Sequence, residues 1–251
     1  MNGDLCDTTS GKVQIPVPHT VQKHSWDCGL ACAVSVLKFL GKDTDEIYSR
    51  DLATMGCGES VWTIDLAHLM ALHSVRHMFC TTLLGVDKSY STKSFYSRHF
   101  TEDERRINQL FEVASNHGIC FEQRSVSTED IFKHLLSSNL LIVLVDWEHL
   151  ECVWCDMKIC PSLNCFKCCG GSYQGHFIVV CGFDRDHGHI YYKNPSYRKE
   201  LCCSRIDKFE TARRSHGTDE DILFVYQETN CQDSPLEKAS NSHNPIDISA
   251  E

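Results

Sequence analysis

Residues 21–41 read VQKHSWDCGLACAVSVLKFLG. Leu30, Val34, Leu37 and Leu40 recur at helical spacing and Gly41 stands where a helix commonly stops, so the stretch predicts a helix opening near Cys28. A thiol in the first turn of a helix lies against the positive end of the macrodipole and beside N–H groups without intrahelical partners, and both favour the thiolate. Cys28 follows Asp27 and precedes Gly29, whose missing side chain would let a substrate carbonyl approach the backbone donors. Upstream, Gln22 offers an amide donor able to stabilise a developing oxyanion beside the sulfur. Cys32, one turn further along, is expected to pack inertly.

A nucleophilic thiol needs a base, and the base needs an orienting partner. Among 14 histidines, His176 is the best placed, because it opens the long apolar run HFIVV directly after YQG. The segments HFIVVCGF and HIYYKN, joined through DRDHG, read as a hairpin whose first strand is buried on both faces. Asn194 ends the second strand, and antiparallel pairing would bring its side chain to His176. Asn can accept an imidazole N–H as Asp does, which makes Cys28, His176 and Asn194 a candidate triad with Gln22 as oxyanion donor.

Further helices are predicted in SVWTIDLAHLMALHSV, capped by Ser60 or Thr63, and in TEDERRINQLFEVASNHG, with Thr101 and Glu104 as a capping box and Gly118 as the stop. STEDIFKHLLSS and SRIDKFETARRSHG read as two more. Strands are expected in RHMFCTTLL, ICFEQRSV, LLIVLVDW and DILFVYQ as well as in the hairpin. Helices leading into a block of strands indicate an α+β fold. Residues 1–11 and 228–251 are too polar to pack and are expected to be disordered, leaving residues 12–227 as one domain with a cysteine-rich insertion at 151–172.

The composition, 42% hydrophobic and 23% charged over 251 residues, is that of a globular protein. A formal charge of -10 without a Lys/Arg block argues against nucleic-acid binding. The N-terminal residues lack the apolar core of a signal peptide, and no apolar run reaches the roughly 20 residues a membrane span needs. The expected location is therefore cytoplasmic, with the nucleus also open. In a reducing compartment the 16 cysteines are thiols, nucleophiles or metal ligands before they are disulfides. The segment ECVWCDMKICPSLNCFKCCGG carries two CxxC pairs, Cys152 with Cys155 and Cys165 with Cys168, a pattern that suits a structural zinc ion against the alternative of a loop of reduced thiols.

Gln22, DCGLAC, GHFIVV and the NP after the hairpin resemble the papain-like bacteriocin-processing cysteine peptidases. That resemblance implies a papain-like fold, a peptide or protein substrate, and Cys28, His176, Asn194 and Gln22 in the roles given above, although those peptidases usually carry Asp where this chain has Asn194. It does not extend over residues 84–110 or the cysteine-rich segment. A second resemblance spans most of the folded chain: WDCGLAC, SVWTIDLAHLM, GVDKSYSTKSFY, YQGHFIVVCGFDRD and GTDEDILFVY are similar to the guanylyl cyclase domain-containing protein family. Its name implies conversion of GTP to cyclic GMP with Mg²⁺ or Mn²⁺ on paired carboxylates. Asp184 with Asp186, or the run Asp219 to Asp221, would have to supply them, and no glycine-rich phosphate cradle is present. The expected function is a cysteine-dependent hydrolase, with a guanylyl cyclase and a non-catalytic peptide-binding adaptor as alternatives.

Overall fold

The computed structural model describes residues 11–85, 100–155 and 173–227. The polar end segments and residues 156–172 of the cysteine-rich insertion lie outside the described residues. What is described is an α+β arrangement built on one mixed, eight-stranded sheet.

The strands are β1 (Lys12–Gln14), β2 (His77–Thr81), β3 (Cys120–Gln123), β4 (Leu140–Asp146), β5 (Gly175–Asp184), β6 (His189–Lys193), β7 (Cys202–Arg205) and β8 (Ile222–Val225). Their spatial order is β3-β2-β8-β4-β5-β6-β7, with β1 also pairing β5. Among the described strands only β2 and β3 run parallel, and every other pairing is antiparallel. β5 is the organising strand: its first half pairs β4, its second half pairs β1 on the same edge, and β6 takes the other edge. Covered on both faces, it reads as an unbroken apolar run because neither face meets water.

The helices are α1 (Cys28–Phe39), α2 (Leu52–Met55), α3 (Thr63–Leu72), α4 (Phe100–Val113), α5 (Thr128–Leu136) and α6 (Ile206–Arg213). α1 to α3 precede β2 and β4 to β7 follow one another as a block, close to the helices-first order expected, but α4, α5 and α6 are interspersed among the strands. α1 and α3 are buried almost throughout, which explains why their apolar residues cover more than one stripe.

Three helix starts show what capping chemistry decides. At α5 Ser127 and Asp130 cap reciprocally, Ser127 Oγ accepting from Asp130 N and Asp130 Oδ2 from Ser127 N, each at 3.1 Å. α3 departs from expectation: Trp62 is the N-cap residue and Asp65 Oδ2 accepts its N–H at 2.8 Å, while Ser60 donates to Asp103. α4 begins at Phe100, before the Thr101 expected to cap it, and its C-terminal extension ends at Gly118 with φ 71°, as predicted. The short β1 and β7 were not expected, since three and four residues of mixed polarity carry no periodic signal.

Gly182 lets β1 reach β5. A Cβ there would run into Val13 O, with Gln14 Cα at 2.9 Å. Gly182→Ala is therefore expected to cost about 1 to 3 kcal/mol by overpacking, read as a lower denaturant midpoint with loss of protection at the Ile15 amide, which donates to Cys181 O at 2.7 Å. An unchanged midpoint would show that β1 contributes nothing.

Candidate functional site

α1 opens at Cys28, and Asp27 before it shapes the approach. The Asp27 carboxylate is fully buried and accepts from Lys23 N at 3.0 Å and His24 N at 2.9 Å, curling residues 23–27 onto themselves. Gly29 serves packing, not substrate access: a Cβ would stand 3.0 Å from the Phe177 ring and 3.3 Å from Leu66, so its absence lets α1 lie on β5. The thiol consequently faces the start of β5. Burial pushes Cys28 up to about 11, against the lowering influence of the Phe177 and Gly29 backbone N–H groups, and the Asp27 charge adds to the rise. The expected thiolate is thus corrected to a resting thiol, because desolvation outweighs the helix end. Cys32 is buried and protonated, as expected of a packing residue.

His176 and Asn194 meet. His176 Nε2 lies 2.9 Å from Asn194 Oδ1, and Ser196 N–H donates to the same oxygen at 3.0 Å. Since a backbone N–H can only donate, that second bond assigns the amide orientation, so the imidazole must donate through Nε2 and keep Nδ1 as its acceptor. Burial lowers His176 to about 4, with Asn194 opposing, so the ring is neutral at physiological pH. Among the described residues no hydrogen bond joins Cys28 to this ring.

Gln22 bridges two loops. Its Nε2 donates to His24 O at 2.7 Å, its Oε1 accepts from Ser196 Oγ at 2.7 Å, and its N–H donates to Pro195 O at 2.9 Å. Its amide nitrogen is thus tied to the loop before α1 and its amide oxygen to the turn after Asn194. Trp147, absent from the sequence reasoning, stacks on His176 with centroids 4.3 Å apart and planes 18° apart. It sits just past β4, far from His176 along the chain, and only strand pairing brings the two rings together.

The acidic pairs differ sharply. Asp184 accepts from His187 N and Nδ1 and faces Lys12 at 3.5 Å; the His187 contact first of all lowers it to about 2, so this carboxylate closes a turn. Asp219 and Asp221 line a small, shallow pocket with Thr63 and three aromatic rings. Asp221 is 8% exposed, its Oδ1 has no hydrogen-bond partner, and burial raises it to about 7. The cavity falls below the usual size for enclosing a ligand as large as a nucleotide.

The sulfurs of Cys152, Cys155 and Cys202 all lie within 4.8 Å of one another, Cys155 and Cys202 being 3.8 Å apart. Three thiols so close could hold a metal ion. Cys165 and Cys168 lie outside the described residues. Cys202 belongs to no CxxC and comes from β7, so spacing could not single it out.

The α+β structure thus has a buried thiol at the mouth of α1 and a hydrogen-bonded His176–Asn194 pair, one on β5 and one just past β6. The guanylylate cyclase family model matches residues 17–225, and Guanylyl cyclase 1 of Arabidopsis thaliana is 37% identical over 212 residues, covering 83% of this chain and 75% of that protein. The chain therefore belongs to the guanylylate cyclase family. Among solved structures, a C39-like peptidase from Bacillus anthracis aligns over 87% of this chain and 98% of its own, at 13% identity and a TM-score of 0.43. No helix among the described residues is long and apolar enough to cross a membrane.

Proposed function

We propose that the protein is a papain-like cysteine hydrolase that cleaves an amide bond in a peptide or isopeptide substrate. The carrying observation is the buried His176–Asn194 hydrogen bond of 2.9 Å, which leaves Nδ1 as the free acceptor on the strand that α1 and Cys28 pack against. In this reading the Cys28 thiol gives its proton to His176 Nδ1 as sulfur attacks the substrate carbonyl carbon. The tetrahedral oxyanion accepts hydrogen bonds from the second Gln22 amide N–H and the first-turn N–H groups of α1. His176 then protonates the leaving amine, and water activated by the same ring hydrolyses the thioester. Asn194 keeps the imidazole in the tautomer each step requires. Structural zinc on thiolates of the cysteine-rich segment completes the reading.

Labelling with a peptidyl vinyl sulfone, mapped by mass spectrometry, tests it. Cys28 is expected to be the modified residue, with His176→Ala slowing the reaction about 10²-fold or more. Modification spread over several cysteines, or an unaffected rate in His176→Ala, would overturn the proposal.

Family membership favours a second reading, conversion of GTP to cyclic GMP. Of the acidic pairs, Asp219 and Asp221 are the ones that face a cavity, and a metal ion would supply the missing partner for Asp221 Oδ1. This reading expects Mn²⁺-dependent cyclic GMP from homogeneous protein, retained in Cys28→Ser and lost in Asp221→Asn. Product no higher than in a mock purification would exclude it.

A further inference from the structure

The three-sulfur cluster and the His176 site share one loop. After β4 the chain places Trp147 on the His176 ring and then runs through Cys152 to Cys155 across the β7 edge of the sheet. Trp147 N–H donates to Gln174 O at 2.9 Å, and Val153 N–H donates to Cys203 O at 2.6 Å. Trp154 stacks on Tyr191 at 5.5 Å, and Lys199 Nζ donates to Trp154 O at 2.7 Å. Leu150 anchors the middle of the loop in the core and Trp147 packs against it, whereas the Val153–Trp154 end, 54% and 44% exposed, is held at the rim by these few contacts alone. Cys202, in contrast, is fully buried on β7 and pairs through its backbone with Tyr192, two residues before Asn194.

We infer that Cys152, Cys155 and Cys202 bind one zinc ion, and that this ion clamps the Trp147 loop to β7 so that the indole stays over His176. The inference rests on the zinc reading given above and adds a ligand outside the CxxC segment together with a role for the ion. CxxC pairs form a small knuckle that presents two thiolates to one ion, and zinc accepts them together with a third sulfur from another element. Loop and strand are then joined by bonds far stronger than the rim contacts, and thiolate charge is neutralised on site. Trp147 acts as a positioning residue: it shields the imidazole from water, which keeps His176 buried and neutral.

The test uses the full chain carrying Cys28→Ala, so that no result depends on hydrolysis. Protein purified without chelator is expected to hold about one zinc per chain, and Co²⁺ exchanged into it should show intense thiolate-to-metal charge-transfer absorption. Cys202→Ser should weaken zinc at least about tenfold in competition with a chromophoric chelator, whereas Cys203→Ser should leave affinity unchanged. Should Cys202→Ser fail to fold, Cys155→Ser, on the half-buried side of the cluster, serves the same comparison. The clamp is read by NMR: the His176 ring protons should show an upfield ring-current shift, absent in Trp147→Leu, that disappears when zinc is chelated while far-UV circular dichroism persists. Folded protein without zinc, or a Cys155–Cys202 disulfide in its place, overturns the metal site. Unchanged affinity in Cys202→Ser overturns the third ligand, and a ring-current shift that survives chelation overturns the clamp.

Discussion

Alkylation of Cys28 by iodoacetamide in the free protein will accelerate about tenfold for each pH unit between pH 6 and 9, a rise of about 10³-fold. A thiol held up to about 11 by burial carries a thiolate fraction on the order of 10⁻⁴ at pH 7, and each unit of pH multiplies that fraction by about ten until the titration is reached. His176, lowered to about 4, is already neutral across this range and contributes no second inflection. The measurement is quantitative mass spectrometry of the Cys28 peptide over a pH series. A rate that is flat from pH 5 to 8 would mean a resting thiolate–imidazolium pair and would refute the neutral resting state. The contrast with a peptidyl electrophile is informative. Iodoacetamide reports the thiol as it rests, so His176→Ala should barely change its rate, whereas under the proposed function a peptide seated in the site would bring thiol and imidazole together and make the same substitution costly.

Arg106→Met is expected to destabilise the fold by about 3 to 5 kcal/mol. Asp65, in the first turn of α3, is 1% exposed and paired with Arg106, whose Nη2 donates to Asp65 Oδ2 at 3.2 Å and to Ser60 O at 3.0 Å. Burial pushes Asp65 up to about 6 even with the guanidinium beside it, which shows how much the charge depends on its partner. Without the arginine, a buried carboxylate must lose its countercharge or take a proton, and α3 loses its tie to α4. Urea denaturation of Arg106→Met and of Arg106→Met with Asp65→Asn provides the measurement. The double variant should recover much of the loss, because it removes the stranded charge. Equal losses in the two would place the cost in the packing of the arginine stem instead.

Much of this chemistry was visible in residue order. Helical spacing from Leu30 to Leu40 with Gly41 located α1, and the apolar run after His176 located the central strand. The pairing of His176 with Asn194 followed from hairpin geometry, because antiparallel strands return the chain to its own starting level. Other features had no local signature. β1 and β7 are too short to show a period, and Trp147 meets His176 only because β4 pairs β5 along its first half. Cys202 approaches Cys155 from 47 positions away.

Spacing and residue type determined which groups this protein has available: a thiol at a helix mouth, an imidazole opening a buried strand, and an amide to hold it. They did so because helix and strand periods are local properties of the backbone. Their states belonged to the tertiary structure. Cys28 rests as a thiol, His176 as a neutral ring and Asp221 as a carboxyl near neutrality, since desolvation depends on everything packed around a group, including Phe177, Trp147 and the walls of a cavity contributed by distant segments. A helix end raises or lowers a charge within one turn of chain, whereas burial sums over the whole fold, and at Cys28 burial is the larger effect.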